Sequence, residues 1–215
     1  MYMDYIEYFN LVEEPYSYLK PNPRFFYYAT QHLITKTILT EAVRTKSAHL
    51  YLTGPVGSGK STLLQVLKYE FEADENNIVF ITHAPKYLRS PHSFLKRLCH
   101  EMDIKTARSY GDMLENFEAQ VGAWARAGKT PILLVDEAHK LTTPAFDFFH
   151  HTMNFVTTDR LLLVLILSGQ EPLVSKIGKL PELRSRMQAL ALSKQVRKSN
   201  LTYQRFVVSC CAGGT

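Results

Sequence analysis

Cysteine is scarce: Cys99, Cys210 and Cys211 are the whole complement of 215 residues. That is too few for a disulfide framework, so a reducing compartment is expected. Long apolar runs are missing. The longest, Leu161 to Leu167, is far too short to cross a bilayer and fits a buried strand. The amino terminus has neither the basic start nor the apolar centre of a signal peptide, carrying Asp4 and Glu7 among aromatics. Neither leader nor membrane anchor is expected, and the natural reading is a cytoplasmic protein. No internal repeat or low-complexity tract occurs. No HExxH, paired CxxC or Ser-His-Asp constellation is present, which excludes the common zinc and serine-nucleophile chemistries. Acid is scarce at one end: residues 172–215 hold eight Lys/Arg against Glu182 alone, a net +7, leaving −2 for residues 1–171 of a chain at +5. Such an end can meet nucleic acid, another anion or water, or serve an active site.

What is present is the material of one globular domain: 46% apolar, 12% aromatic and 21% charged residues, enough for a sizeable core. Residues 1–28 are aromatic and broken by Pro15, Pro21 and Pro23, which forbid a continuous helix and predict an extended arm. From there helical and strand patterns alternate. Helices are expected over 30–45, 61–71, 91–102, 110–127 and 144–155. Strands are expected over 49–53, 78–82, 131–135, 161–168 and 188–192. Continuous apolar strands between helices predict a parallel sheet covered on both faces, and such sheets bind ligands at the carboxyl ends of their strands.

Two motifs fall at such ends. Gly54-Pro55-Val56-Gly57-Ser58-Gly59-Lys60-Ser61 fits GxxxxGK[ST] in full, with a strand before it and a helix after it. Glycines at 54, 57 and 59 let the backbone curl so that N–H groups, Ser58 among them, point at phosphate oxygens. The following helix adds its positive end. Lys60 would neutralise the β- and γ-phosphates of ATP, Ser61 would offer its hydroxyl to Mg²⁺, and Thr62 completes the nucleotide-binding set. Downstream, Ile132 to Val135 run into Asp136 and Glu137. Asp136 at the strand tip suits Mg²⁺ held through water, and Glu137 suits the base that deprotonates the attacking water.

A third strand ends in Leu167-Ser168-Gly169-Gln170. Gln170, with Ser168 second, is the candidate for contact with the γ-phosphate or the lytic water; an ordinary strand-ending turn is the plain alternative. His139 follows close enough to touch the acidic pair. Cys99 reads as a core residue, and the adjacent His150 and His151 point apart on a helix and make a poor metal pair. Arg184 and Arg186, by composition alone, read as surface charges.

Together these motifs carry a resemblance. The opening YFNLVEEPYSYLKPNPRFFYYATQH, then GPVGSGKSTLL, ILLVDEAHKL, MNFVTTDRLLLVLILSGQEPL and LPELRSRM resemble in order the AAA+ ATPases of the ExeA/GspA type, which are similar to the TniB/TnsC transposition ATPases. The likeness runs from about residue 8 to residue 192. It implies an α/β P-loop fold of three layers with a five-stranded parallel sheet, core residues 29–192, and ATP bound with Mg²⁺ at interfaces between copies in a ring or filament. Arg186 takes the place of the arginine finger, with Arg184 beside it. The family continues into a helical lid, of which residues 193–215 read as a truncated remnant. The function implied is a DNA-associated regulator of transposition, with double-stranded DNA and a transposase as partners. The alternatives are a secretion-assembly ATPase and a nucleotide-binding switch without turnover. A DEAH-type helicase, suggested by Asp136-Glu137-Ala138-His139, would need a second motor domain for which the chain is too short.

Overall fold

The computed structural model describes residues 28–84, 90–157 and 160–193. In chain order the elements are α1 (Thr30–Thr45), β1 (His49–Thr53), α2 (Lys60–Glu72), β2 (Asn77–His83), α3 (Pro91–Glu101), α4 (Tyr110–Arg126) and β3 (Thr130–Asp136). Two 3₁₀ turns follow (Ala138–Lys140 and Thr143–Phe146), then α5 (Asp147–Thr152), β4 (Val164–Gly169), α6 (Pro172–Gly178), α7 (Pro181–Arg186) and β5 (Met187–Ala191). The strands form one sheet in the order β2-β3-β4-β1-β5, and every neighbouring pair is parallel.

The period of two along a strand divides the core into two layers. In β3 and β4 every residue is buried. Ile132, Leu134, Val164 and Ile166 face Leu39 of α1 and Leu63, Leu64 and Leu67 of α2. The alternate residues Leu133, Val135, Leu165 and Leu167 face Phe94, Leu98, Phe117 and Phe148 of α3, α4 and α5. Phe148 stands edge-on to Phe117 and Phe94, with ring centroids 5.3 and 5.6 Å apart. Helix, sheet and helix make the three-layer α/β sandwich that the alternating pattern predicts.

Element starts follow local chemistry. Ser90 caps α3 by accepting from Ser93 N at 3.1 Å, with Pro91 in its first turn, and Ser109 caps α4 by accepting from Asp112 N at 3.3 Å. The structure departs from the sequence reading in three places. The helix expected over 144–155 is a 3₁₀ turn followed by a six-residue α5 that ends at Thr152. There the backbone turns so that Phe155 can reach the core. The strand expected from 161 begins at Val164; Leu161 instead makes an antiparallel bridge with Val156. Helices α6 and α7 were not anticipated, although each begins with a proline in its first turn, where the missing N–H costs nothing. The aromatic arm, Tyr28 apart, and the lid remnant beyond Ser193 lie outside the described residues.

His49, at the start of β1, is buried, and its Nδ1 accepts a hydrogen bond from Leu165 N at 3.2 Å. Burial, then the charge of Arg186, push its pKa down to about 4. An unfolded histidine titrates near 6.5, so between those values the unfolded chain binds the extra proton. Stability present above about pH 6.5 is therefore lost as pH falls toward 4, by roughly 2 kcal/mol between pH 7 and pH 5. His49→Asn keeps an acceptor for Leu165 and cannot titrate. Urea unfolding of the two proteins at pH 7 and pH 5 should show a shallower pH dependence for the variant by about that amount; parallel curves would refute the assignment.

Candidate active site

β1 delivers the chain to Gly54 at the carboxyl edge of the sheet, and the loop to α2 turns there. Gly57 and Gly59 have φ of 76° and 86°, the left-handed region that side chains resist. Gly59 leaves α2 without a side-chain cap, so the free N–H groups and positive end of a thirteen-residue helix face the loop. Gly54 is packed tightly: a Cβ there would stand 2.6 Å from Leu192 O and 2.8 Å from Ser58 Oγ. The Lys60 ammonium is drawn into this curl. It donates to Gly54 O and Pro55 O, each at 2.8 Å, and to Ser58 Oγ at 3.3 Å. Burial lowers its pKa, while the carboxylates of Glu137 and Asp136 act in the opposite direction. Ser61 is exposed and Thr62 half-buried on the first turn of α2.

Helix α1 braces the loop from behind. His32 Nε2 donates to Ser58 O at 2.8 Å. Next to it, Gln31 holds Ser193 through three hydrogen bonds: Nε2 to Ser193 O at 3.1 Å, and Ser193 N and Oγ to its Oε1 at 3.1 and 2.8 Å. One turn of helix thus ties the glycine loop to the exit of β5.

β3 carries the acids to the same edge. Asp136 is 2% exposed; its Oδ1 accepts from Glu137 N at 2.8 Å, and Oδ2 lies 3.5 Å from His83 Nδ1. Glu137 has φ 56°, a left-handed turn rare in a non-glycine residue, which swings it out of the strand. Its Oε2 pairs with Lys140 Nζ at 2.5 Å and stands 3.9 Å from His139 Nε2. Burial opposes its ionisation, but the bond and charge of Lys140, with His139 and Lys60, outweigh burial and hold the carboxyl below its ordinary range.

β4 lies between β3 and β1, so its tip stands between the acids and the glycine loop. Ser168 is buried, and its hydroxyl has no hydrogen-bond partner among the described residues. Gln170 is half-buried, and its backbone N–H donates to His139 Nδ1 at 3.2 Å. Lys176 of α6 donates to the carbonyls of His139 and Leu141.

Gly54, Gly57, Ser58, Gly59, Lys60, Ser61, Thr62, Asp136, Glu137 and Gln170 all gather along this edge. Arg186 does not. It precedes β5, whose first residue pairs with His49 at the start of β1. At about 3.3 Å per residue, five residues put it roughly 16 Å from the glycine loop, at the other end of the sheet. Its Nη1 donates to Asn154 Oδ1 at 2.6 Å and Met153 O at 3.4 Å. Arg184 is exposed on the same short helix. Among the described residues no three His, Cys, Asp or Glu side chains form a metal cage. A hydroxyl and one carboxylate nevertheless fit a Mg²⁺ that takes its other oxygens from phosphates and water.

Lys140, Lys176, Gln31 and His32 are site residues that the sequence motifs do not include, whereas His139 lies beside the acidic pair as expected, its Nε2 3.9 Å from Glu137 Oε2. His139 and Lys140 were signalled by nearness to Glu137, and Asn154 by the Asn-Phe segment of the family resemblance. Gln31 and Lys176 carried no signal beyond their contacts.

A phosphate-cradling loop on one strand, two carboxylates on another, and a strand tip between them define a P-loop ATPase domain. The chain belongs to the AAA domain family, which matches residues 43–177. It is 27% identical over 216 aligned positions to General secretion pathway protein A of Aeromonas hydrophila, covering 96% of this chain but only 38% of that protein. Its fold is similar to the ORC2 protein of Aeropyrum pernix, solved as ADPNP–ADP complexes, with TM-score 0.57, 14% identity, and coverage of 81% of this chain and 52% of that one. It is likewise similar to the Aeropyrum pernix ORC1 protein in complex with DNA, with TM-score 0.61, 16% identity, and coverage of 78% and 45%.

Proposed function

We propose that this chain binds ATP with Mg²⁺ and hydrolyses it, completing each site with an arginine from a second copy. The observation that carries the reading is the meeting of Lys60, Asp136 and Glu137 at one sheet edge, with charge coupling among them. The loop N–H groups and Lys60 hold the phosphates. Ser61 and Asp136 hold the cation, which neutralises phosphate charge. Glu137 orients water and takes its proton, and Gln170 contacts the γ-phosphate or that water from the tip of β4. Arg186 lies too far from its own loop to serve it. It is, however, presented by Asn154 on the opposite edge, where it suits a neighbour's γ-phosphate in a ring or filament of copies. Glu137→Gln should keep nucleotide affinity and lose hydrolysis by roughly 10²-fold or more, as for a lost general base. Equal single-turnover rates in the two proteins would remove Glu137 from the mechanism.

For what the turnover drives, the first reading is a cytoplasmic, DNA-associated ATPase similar to the TniB/TnsC regulators, with a transposase as partner. It rests on the +7 charge of residues 172–215 and on a fold shared with a protein solved on DNA. The second reading is an ATPase of secretion, supported by the likeness to General secretion pathway protein A; among the described residues no helix is long and apolar enough to cross a membrane. A nucleotide switch without turnover is the outcome if the unaltered chain binds the nucleotide and shows no hydrolysis. Under the first reading, fluorescence anisotropy on a random duplex should show sequence-independent binding that requires an ATP analogue. It should weaken with salt at a slope of roughly −0.9 per phosphate neutralised. Negligible binding at low salt with or without the analogue would leave the secretion reading ahead.

A further inference from the structure

Glu137 has two nitrogen neighbours of different kinds. Lys140 Nζ, at 2.5 Å, is half-exposed on a flexible stem. His139 Nε2, at 3.9 Å, sits on a ring fixed from several sides. The His139 carbonyl is held by Lys176, and its Nδ1 accepts from Gln170 N. Gly169 leaves the ring no slack: a Cβ at that position would stand 3.3 Å from Nδ1 and 3.2 Å from His139 N. A ring nitrogen that accepts from a backbone N–H carries no proton, so the proton is on Nε2, the atom nearer Glu137. Burial favours this neutral ring, Glu137 opposes it, and the cations Lys140, Lys176 and Lys60 favour it, with the net result a lowered pKa.

Resting on the reading of Glu137 as the base, we propose that His139 is a positioning residue that transmits the place of the Gly169–Gln170 strand tip to the Glu137 carboxylate. Lys140 holds Oε2 here, while the Nε2–H stands 3.9 Å away, so that a ring movement of about an ångström would bring it within hydrogen-bond reach of the same oxygen. A shift of Gln170 moves the ring, the ring moves the donor, and the donor sets where the carboxylate points. Contact at the strand tip thereby governs the base immediately beyond β3's buried run, through one side chain.

The test uses the full chain with His139→Ala, His139→Asn, Glu137→Gln and the double variant His139→Asn/Glu137→Gln. Asparagine keeps an acceptor for Gln170 N but has no donor at the Nε2 position, so it separates holding the strand from positioning the base. The readouts are affinity for a fluorescent ATP analogue and single-turnover hydrolysis. Both His139 variants should bind within about twofold of the unaltered protein and hydrolyse roughly 10- to 100-fold more slowly, the scale of a misplaced reacting group. In the Glu137→Gln background His139→Asn should change the rate less than about twofold, because residues that act as a unit are not additive. Full activity in His139→Asn, or losses that multiply in the double variant, would overturn the proposal. If Glu137→Gln alone hydrolyses at the unaltered rate, the failure lies instead in the reading of Glu137 as base.

Discussion

Strands that all run one way end at one edge, and the site depends on that shared direction. Lys60 and Glu137 are far apart in the chain, and neither β1 nor β3 touches the other directly, since β4 separates them. Parallel pairing with helical crossovers nonetheless brings both strand ends to the same side. Such a sheet must be covered on both faces, so α1 and α2 on one side and α3, α4 and α5 on the other are as necessary to the site as its own residues. The same direction puts Arg186 at the opposite edge, because it precedes a strand instead of following one.

The polar groups along this edge are held closely. Lys60 lies among loop carbonyls, Lys140 on Glu137, and Lys176 on the carbonyls after β3. Hydrogen bonds to charged groups in partly buried surroundings are stronger than neutral ones, so each cation fixes a loop as well as balancing charge. The glycines do the reverse work: at Gly57 and Gly59 positive φ lets the backbone turn without a side chain to resist it. Rigidity around the loop and freedom within it are both needed where N–H groups must converge on phosphate.

Sequence patterns disclosed most of the fold because its signals are local. α1 and β1 have the limits expected, 30–45 and 49–53, since periodicity and flanking polar residues mark them. The glycine loop and Asp136–Glu137 were legible for the same reason: each is a short string whose chemistry follows from its place at a strand tip. Local patterns mislead where tertiary packing decides. Residues 144–155 have the composition of one helix, but Phe146, Phe148, Phe149 and Phe155 all reach the core, and no single helical face offers four such directions. Several hydrogen bonds in and around the site join residues remote in sequence: Gln170 with His139, Gln31 with Ser193 and, at the far end of the sheet, Arg186 with Asn154. No local pattern encodes such a pair.

Under the proposed function Arg186, roughly 16 Å from its own phosphate loop, serves a neighbouring copy, so that an interface between copies becomes part of the chemistry. Mixing two inactive variants tests this most directly. Lys60→Ala lacks the phosphate ligand but keeps Arg186, and Arg186→Ala keeps the loop but lacks the arginine. If the arginine acts across the interface, mixtures of the two should hydrolyse ATP faster than either alone, with a maximum near equal amounts. Activity equal to the sum of the separate proteins at every ratio, or an Arg186→Ala protein that is fully active by itself, would contradict it.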